Sequence, residues 1–181
     1  MVSQPDGGYG WIVCAIACWI SSCFGTFDYG FGVILGPSAE YFQMAPSIMS
    51  LGGELISIVQ YLLAPAFAYL GGWFGYRKTL TVACAMATIS IISSGFVKEA
   101  FTFITFFCIV PGLCFGQMML SSTMILNTYF DKNLVLVHGF YTGAMTLGTT
   151  LPSVAINFLV MDYGLLQVTM FLASMFLVCF L

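Results

Sequence analysis

Charge is nearly absent from this sequence. Only 6% of the 181 residues are charged, with four basic and seven acidic side chains and a formal net charge of −3. The basic residues form no run, which excludes the positive surface that nucleic-acid binding requires. Because 60% of the residues are hydrophobic, no soluble fold could bury the apolar surface. Lipid is therefore the expected solvent.

The residues that enzymes use are scarce as well. The sequence has one histidine, and it contains no nucleophile elbow, no P-loop and no cluster of histidines or carboxylates at metal-ligand spacing. The seven cysteines all lie in apolar runs, without the paired spacing of a metal site or a secreted disulfide framework. We interpret them as small core or lipid-facing residues. We expect no enzyme, no cofactor and no metal site.

What the sequence does contain is long apolar runs. A bilayer core requires roughly 20 apolar residues per helix, and six charge-poor runs of that order follow one another. We predict six transmembrane helices, at approximately 11–36, 48–70, 79–97, 101–128, 134–160 and 165–181. The breaks between them are short, which suits antiparallel neighbours and leaves no room for a soluble domain. The predicted fold class is an all-α membrane protein.

The few basic residues predict an orientation. In the six-helix topology Arg77, Lys78 and Lys132 lie on one side of the membrane, whereas only Lys98 lies on the other. Lysine and arginine are enriched in the loops that stay in the cytoplasm. Both termini are therefore predicted to be cytoplasmic.

Glycines recur four residues apart in four places. This spacing lets two helices approach each other closely, since glycine has no side chain. The pairs are Gly32 and Gly36, Gly71 and Gly75, Gly112 and Gly116, and Gly139 and Gly143. We predict tight helix packing at these four pairs.

An acidic, glycine-rich and aromatic segment precedes the first apolar run, Asp6-Gly7-Gly8-Tyr9-Gly10-Trp11. Asp6 can cap the helix N-terminus, the glycines permit a tight bend, and the two aromatic rings suit a membrane interface. The segment resembles the Asp-Gly-Gly-Trp-Gly-Trp motif of the monocarboxylate transporter family of the major facilitator superfamily. An anchoring role and a gating role both fit this segment.

Two further segments carry the same resemblance. Residues 129–139 are similar to the family's Tyr-Phe-x-Lys-Arg-Arg-x-Leu-Ala-x-Gly, in which Lys132 and Gly139 match but Asn133 and Leu134 replace both arginines. Residues 71–78 resemble the superfamily's Gly-rich loop between helices two and three, without its acidic residue. The resemblance implies that Arg77 latches neighbouring helix ends, for which membrane anchoring is the alternative.

The resemblance covers the whole chain as one N-terminal six-helix half of a major facilitator superfamily fold, residues 1–181. It implies a secondary active transporter in the plasma membrane that couples H⁺ to a small organic solute, by default a monocarboxylate. An immunoglobulin-type ancillary membrane glycoprotein, used by some family members, is a candidate partner. Such carriers need two halves. We therefore expect a fragment, a truncated isoform or an incomplete gene model.

Polar residues inside the predicted helices are the candidates for the substrate or proton pathway. Some family members carry a lysine late in helix one, and gapless alignment from Asp6 places Tyr29 there, just after Asp28. Asp28 is either a proton carrier, a site for a cationic or zwitterionic solute, or a hydrated residue near a helix end. The other candidates are Glu54, Gln117, His138 and Asn157. For these four, a helix-end position or a structural hydrogen bond is the alternative interpretation.

Two further hypotheses stay open. The missing helix-one lysine and helix-five arginines argue against simple anion recognition, so amino acids, aromatic solutes or polyamine-like cations are alternative cargoes. A half-length chain also fits a membrane protein that does not transport. Such a protein would associate through its glycine-rich faces with a full-length carrier and modulate its folding.

Overall fold

The computed structural model describes residues 8–97, 99–163 and 165–177, and within these ranges the side chains other than those of 40–41, 151–163, 165–167 and 177. Regular structure in the described ranges is entirely helical, which confirms the all-α prediction. The helices are α1 Tyr9–Tyr41, α2 Pro46–Leu62, α3 Ala64–Phe74, α4 Tyr76–Ser94, α5 Ala100–Ile104, α6 Val110–Tyr129, α7 Leu134–Tyr163 and α8 Leu165–Leu177. A π-helical turn, Thr105–Ile109, joins α5 to α6.

Two segments are long and apolar enough to span a bilayer alone, Tyr9–Ala39 and Ala100–Tyr129. Helices α2 and α3 meet the same criterion only as a pair, and they are bent by 54° at their junction. The described residues thus supply two spans by this criterion, or three, rather than the predicted six. One reason is the polarity of α4, which has Arg77 and Lys78 in its first turn and contains several hydroxyls. Another is that α8 has 13 described residues, too few for a span.

The junction between α2 and α3 divides a segment that the sequence predicted as one span. Pro65 occupies the first turn of α3, where its missing N–H would have been unsatisfied in any case. Leu63 lies between the two helices with φ −93° and ψ 4°, and its N–H donates a hydrogen bond to the Val59 carbonyl oxygen. A proline ring clashes with the preceding turn of a continuing helix. The bend therefore follows from a local sequence signal.

The closest helix packing occurs between α1 and α7. A methyl group added at Gly148 would lie 2.6 Å from the Cα of Ser22. One added at Gly25 would collide with the carbonyl oxygen of Met145. Because both positions lack a side chain, the two backbones approach to a distance that no other residue would allow.

Two hydrogen bonds reinforce this crossing. Ser21 Oγ donates to the carbonyl oxygen of Tyr141 at 3.0 Å, and Thr26 Oγ1 donates to the carbonyl oxygen of Gly148 at 2.9 Å. Residue numbers rise together along the two helices, so α1 and α7 are parallel. The hydroxyls of Ser21 and Thr26 are fully buried, and in an apolar interior such groups need these partners.

The predicted glycine pairs behave differently from one another. A methyl group at Gly112 would lie 3.0 Å from the Ile56 carbonyl oxygen, so this pair does pack closely against α2. Gly116 likewise lies against the ring of Phe67. At the pairs 32/36 and 139/143, by contrast, no described atom lies within 4 Å of an added methyl group. Tight packing was therefore wrongly predicted there, because spacing alone does not say which helix face meets a neighbour.

Phenylalanine rings fill the space between α1 and α6. Phe27 lies 4.9 Å from Phe107 and 4.8 Å from Phe115, measured between ring centroids, and all three rings are buried. Phe24 contacts Phe115, and Phe31 contacts Phe107. Numbers rise along α1 while they fall along α6, so these helices are antiparallel. Offset and edge-on contacts of this kind stabilise aromatic clusters beyond their buried area.

We predict that Gly148→Ala destabilises the protein, whereas Gly143→Ala on the same helix does not. Both changes raise helix propensity equally, so their difference isolates the collision with Ser22. Overpacking of this kind costs about 1–3 kcal/mol. Thermal unfolding in detergent, followed by size-exclusion chromatography, measures the effect. Equal midpoints for the two variants would contradict the observed α1–α7 crossing.

Candidate functional site

Asp28 and Glu54 line a common cavity between α1 and α2. Its volume is about 260 Å³, and it is also lined by Tyr29, Ser50 and Ser57 together with apolar residues. Asp28 is half-buried, whereas Glu54 and Tyr29 are exposed in the isolated chain. Neither lysine, arginine nor histidine is among the described residues that line this cavity. Three residues singled out from the sequence are thus brought together by the fold.

Local packing brings the two acids to one cavity. Gly53, next to Glu54, lies against the ring of Phe31, where an added methyl group would be 2.6 Å from Cε1. Gly32, one turn after Asp28, has no described atom within 4 Å of an added methyl group and leaves the space that forms the cavity. Gly53 therefore allows α1 and α2 to touch, and Gly32 leaves the cavity open beside that contact.

Two hydroxyl groups of this cavity were missed by the sequence analysis. Ser50 and Ser57 lie four residues before and three residues after Glu54, the spacing that puts side chains on one helix face. Searching for polar residues at helical spacing around Glu54 would have found both. The Ser57 hydroxyl can donate to a carboxylate or accept from a protonated group. The Ser50 hydroxyl donates to the Ser47 carbonyl oxygen at 2.9 Å, so towards a ligand it can accept.

Arg77 binds the ring of Tyr129 at the other end of α1. Its guanidinium donates a hydrogen bond to the Tyr129 hydroxyl, and its central carbon lies 5.5 Å from the centroid of the same ring. The ring of Tyr9 stands 6.1 Å from that of Tyr129. Gly75 precedes α4 with φ +88°, a conformation that suits glycine. These contacts attach the α3–α4 turn to the end of α6 and the start of α1.

The start of α1 packs on the same end of the bundle. Gly8 has φ +61°, which agrees with the tight bend expected of this segment. Trp11 contacts Phe130 edge-on, with ring centroids 5.5 Å apart, and a methyl group at Gly10 would lie 3.2 Å from the Phe130 ring. Asp6 and Gly7 lie outside the described residues. The aromatic part of the motif thus contacts the end of α6.

His138, Lys132 and Gly139 lie near this end and far from the acidic cavity. His138 Nε2 is 2.9 Å from Asn127 Oδ1, which connects α7 to α6. Lys132 is exposed in the turn between these helices. Gly139 lines an apolar groove on the α1–α7 side of the bundle. The side chain of Asn157 lies outside the described residues.

Gln117 lies apart from the acidic cavity and from the residues at the Tyr9 end of the bundle. It is buried in α6, and its Nε2 donates to Ser121 Oγ at 2.8 Å. It lines a separate, largely apolar cavity between α3, α4 and α6. The candidates from the sequence therefore fall into three regions: the acidic cavity, the end that carries Tyr9, and the cavity beside Gln117.

Known proteins resemble this chain over almost its whole length, although no family model matches it. Monocarboxylate transporter 10 of Rattus norvegicus is 27% identical over 188 aligned positions, which cover 98% of this chain. Monocarboxylate transporter 10 of Homo sapiens is 26% identical over 97% of the chain, and monocarboxylate transporter 6 of Homo sapiens is 23% identical over 98%. The chain spans 35% of the length of each of these three relatives.

These relatives are transporters by name rather than enzymes, in agreement with the absence of catalytic motifs from the sequence. Their similarity supports the resemblance first seen in residues 6–11, 71–78 and 129–139. Helices of bilayer-spanning length agree with it as well. The chain is therefore a multi-pass integral membrane protein that is similar in sequence to the monocarboxylate transporters.

Proposed function

We propose that residues 1–181 form one six-helix half of a secondary active transporter for small organic solutes, with the Asp28–Glu54 cavity as its proton-exchange site. The observation that carries the proposal is that two acids from different predicted spans line one cavity. Acids within a membrane-spanning region are costly and are retained where they serve a proton or solute pathway. A monocarboxylate that moves together with H⁺ across the plasma membrane is the favoured substrate class.

Helix directions support the six-span topology. Helices α1 and α7 are parallel, and α6 runs against α1. Thr79 and Ser121 are 3.3 Å apart and Ser90 donates to the Phe106 carbonyl, so α4 runs against α6. Gly95, at the end of α4, meets Thr169 near the start of α8. These contacts agree with the alternating directions expected for five of the six proposed membrane crossings.

The lining of the cavity explains why proton and anion would move together. Two charged carboxylates that line one cavity repel an anionic solute. An anion without a cationic partner is costly to bring into such a cavity. A proton bound by Asp28 lowers the negative charge of the cavity and so weakens its repulsion of a carboxylate. Coupling then follows from electrostatics, without a lysine in helix one.

A second candidate cargo follows from the same lining. A cationic or zwitterionic solute, such as an amino acid, places an ammonium group where Asp28 and Glu54 provide negative charge. The described lining residues include no cation to bind a free carboxylate. Competition separates the two cargo classes: excess monocarboxylate, aromatic amino acid or polyamine is added to the uptake of a labelled solute, and the effective competitor identifies the class.

A non-transporting role is supported by the glycine face of α7, where no described atom lies within 4 Å of a methyl group added at Gly139 or Gly143. A helix of another membrane protein could approach such a face closely. Carriers of this superfamily need two halves around a central site. Reconstitution of the purified chain tests this role directly. Absence of uptake of every solute, together with co-purification with a full-length relative, would support a half-carrier that modulates its partner.

We predict that Asp28→Asn, placed in a carrier that contains both halves, reduces pH-gradient-driven uptake of a short labelled monocarboxylate into proteoliposomes by at least about tenfold. The amide keeps the shape of the side chain but cannot bind and release a proton, so proton coupling is lost. Glu99→Gln is the matched control, because Glu99 is exposed and lies outside the cavity. Unchanged uptake by Asp28→Asn would remove Asp28 from the proposed mechanism.

A gating role for the α3–α4 turn depends on the contact of Arg77 with Tyr129. Tyr129→Leu removes both the hydrogen bond and the ring, which together contribute about 1–2 kcal/mol. We expect trypsin to cleave after Arg77 roughly 5–30 times faster in this variant. Tyr129→Phe keeps the ring and should give an intermediate rate.

The control for this experiment is Tyr61→Leu, a change of the same type at an exposed tyrosine in α2. Its cleavage rate after Arg77 should equal that of the unmodified chain, measured in detergent micelles by mass spectrometry. Equal cleavage rates for Tyr129→Leu and Tyr61→Leu would show that Tyr129 does not hold the turn.

A further inference from the structure

A second cavity opens on the outside of the bundle between α3, α4 and α6. Its volume is about 620 Å³, within the range of pockets that hold small molecules. Leu70 and Phe74 form its α3 wall, and Val82 and Met86 form its α4 wall. All four side chains are exposed in the isolated chain, so the cavity opens at the surface of the bundle. Its walls are suited to a hydrocarbon chain.

Gln117 provides a polar group at the base of this cavity. The residue is 7% exposed, and its Oε1 has no hydrogen-bond partner in the described part of the chain. Turning the amide round would pair Oε1 with Ser121 and leave Nε2 without a partner instead. In either orientation one buried polar atom of the amide remains unpaired. Such an atom is costly in an apolar interior, and a polar group of a bound molecule would satisfy it.

Lys78 provides a positive charge at the rim. It lies in the first turn of α4, is exposed, and lines the same cavity as Gln117. Thr79, the next residue, contacts Ser121, and Gln117 is one helical turn deeper along α6. The cation therefore lies nearer the helix end, and the amide lies deeper. Lysines near the ends of membrane helices place the ammonium group at the interface.

We propose that this cavity binds a single anionic lipid of the surrounding membrane, with its phosphate on Lys78, its glycerol region on Gln117 and one acyl chain along α3 and α4. The order of the three features, a cation, then a hydrogen-bonding amide, then an apolar wall, matches the order of phosphate, glycerol and chain in such a lipid. Basic pockets between membrane helices bind anionic headgroups by the same electrostatics. This site is separate from the acidic cavity between α1 and α2.

The test is a binding titration of the purified, delipidated chain by native mass spectrometry, with oleoyl lysophosphatidate as the probe. One lipid should bind per chain. Monoolein has the same chain and glycerol but no phosphate, and we expect it to bind about tenfold more weakly. Inorganic phosphate should not compete at equal concentration, because it lacks the chain. Equal binding of monoolein, or displacement by inorganic phosphate, would overturn the proposal.

Variants locate the site. Lys78→Gln should weaken lysophosphatidate binding about tenfold, whereas Lys132→Gln, a cation outside the cavity, should not. Val82→Trp fills the cavity and should abolish binding. Ile89→Trp places the same ring on another exposed position of α4 that lies outside the cavity and should leave binding unchanged. Binding to Val82→Trp at the affinity of the unmodified chain would show that the lipid lies elsewhere.

Gln117→Leu separates a ligand-binding role from a structural one. Removing an unpaired amide should leave the melting temperature of the lipid-free chain unchanged or raise it. Lysophosphatidate affinity should nevertheless fall, because the glycerol region loses its partner. A lower melting temperature with unchanged affinity would show that Gln117 stabilises the helix bundle and does not contact a lipid.

Discussion

The close crossing of α1 and α7 is the constraint on which the arrangement of the other helices depends. Backbones meet at Gly25 and Gly148, and buried hydroxyls of α1 bind carbonyl oxygens of α7. Lipid tails are as apolar as leucine, so association in a membrane relies on such close contacts and hydrogen bonds. Because this face of α1 packs against α7, the other helices contact the remaining faces of α1.

Three stripes along α1 divide its surroundings. Ser21, Ser22 and Gly25 face α7. Phe24, Phe27 and Phe31 recur at spacings of three and four and meet rings of α6 and of the π-helical turn before it. Asp28, Tyr29 and Gly32 open onto the cavity shared with α2. A single helix thus carries a packing face, an aromatic face and a polar face, which is how the acids come to lie beside a rigid core.

Polar side chains within this bundle differ in whether their own helix satisfies their hydrogen bonds. Most serine and threonine hydroxyls bind carbonyl oxygens of their own helix, as Ser38 does with Ile34 and Thr88 with Cys84. Such groups add little penalty in an apolar environment because they are satisfied locally. Asp28, Glu54 and Gln117 are different, since their side chains face cavities. Polar side chains that face a cavity are the ones to which we assign roles in binding protons, solutes and lipid.

The sequence predicted the helices better than it predicted their contacts. Apolar runs identify an all-α membrane protein because the length of a span is set by the bilayer. Apolar runs do not reveal a change of helix direction within a run. The bend at Leu63 was therefore missed, although Pro65 indicated it. A glycine spacing of four found Gly112 and Gly116 but missed the crossing of α1 and α7. Ser21 with Gly25 and Ala144 with Gly148 have the broader pattern of small residues four apart.

Residues of the candidate site were found one at a time. Asp28 and Glu54 were identified because each is an acid in an apolar run, but that they share a cavity depends on the contact of Phe31 with Gly53. That Lys78 and Gln117 line one cavity likewise results from packing between α4 and α6. Contacts between helices far apart in sequence are set by the fold, and no local pattern encodes them.

The central claim, that α1 and α7 meet at their glycines, is tested most directly by solid-state nuclear magnetic resonance in lipid bilayers. The experiment measures through-space correlations between the labelled carbonyl carbon of Ser22 and the labelled α-carbons of glycine. The structure predicts a correlation with Gly148 and none with Gly139, nine residues earlier in α7. A missing correlation with Gly148, or one with Gly139 in its place, would contradict the crossing and the positions of the helices that depend on it.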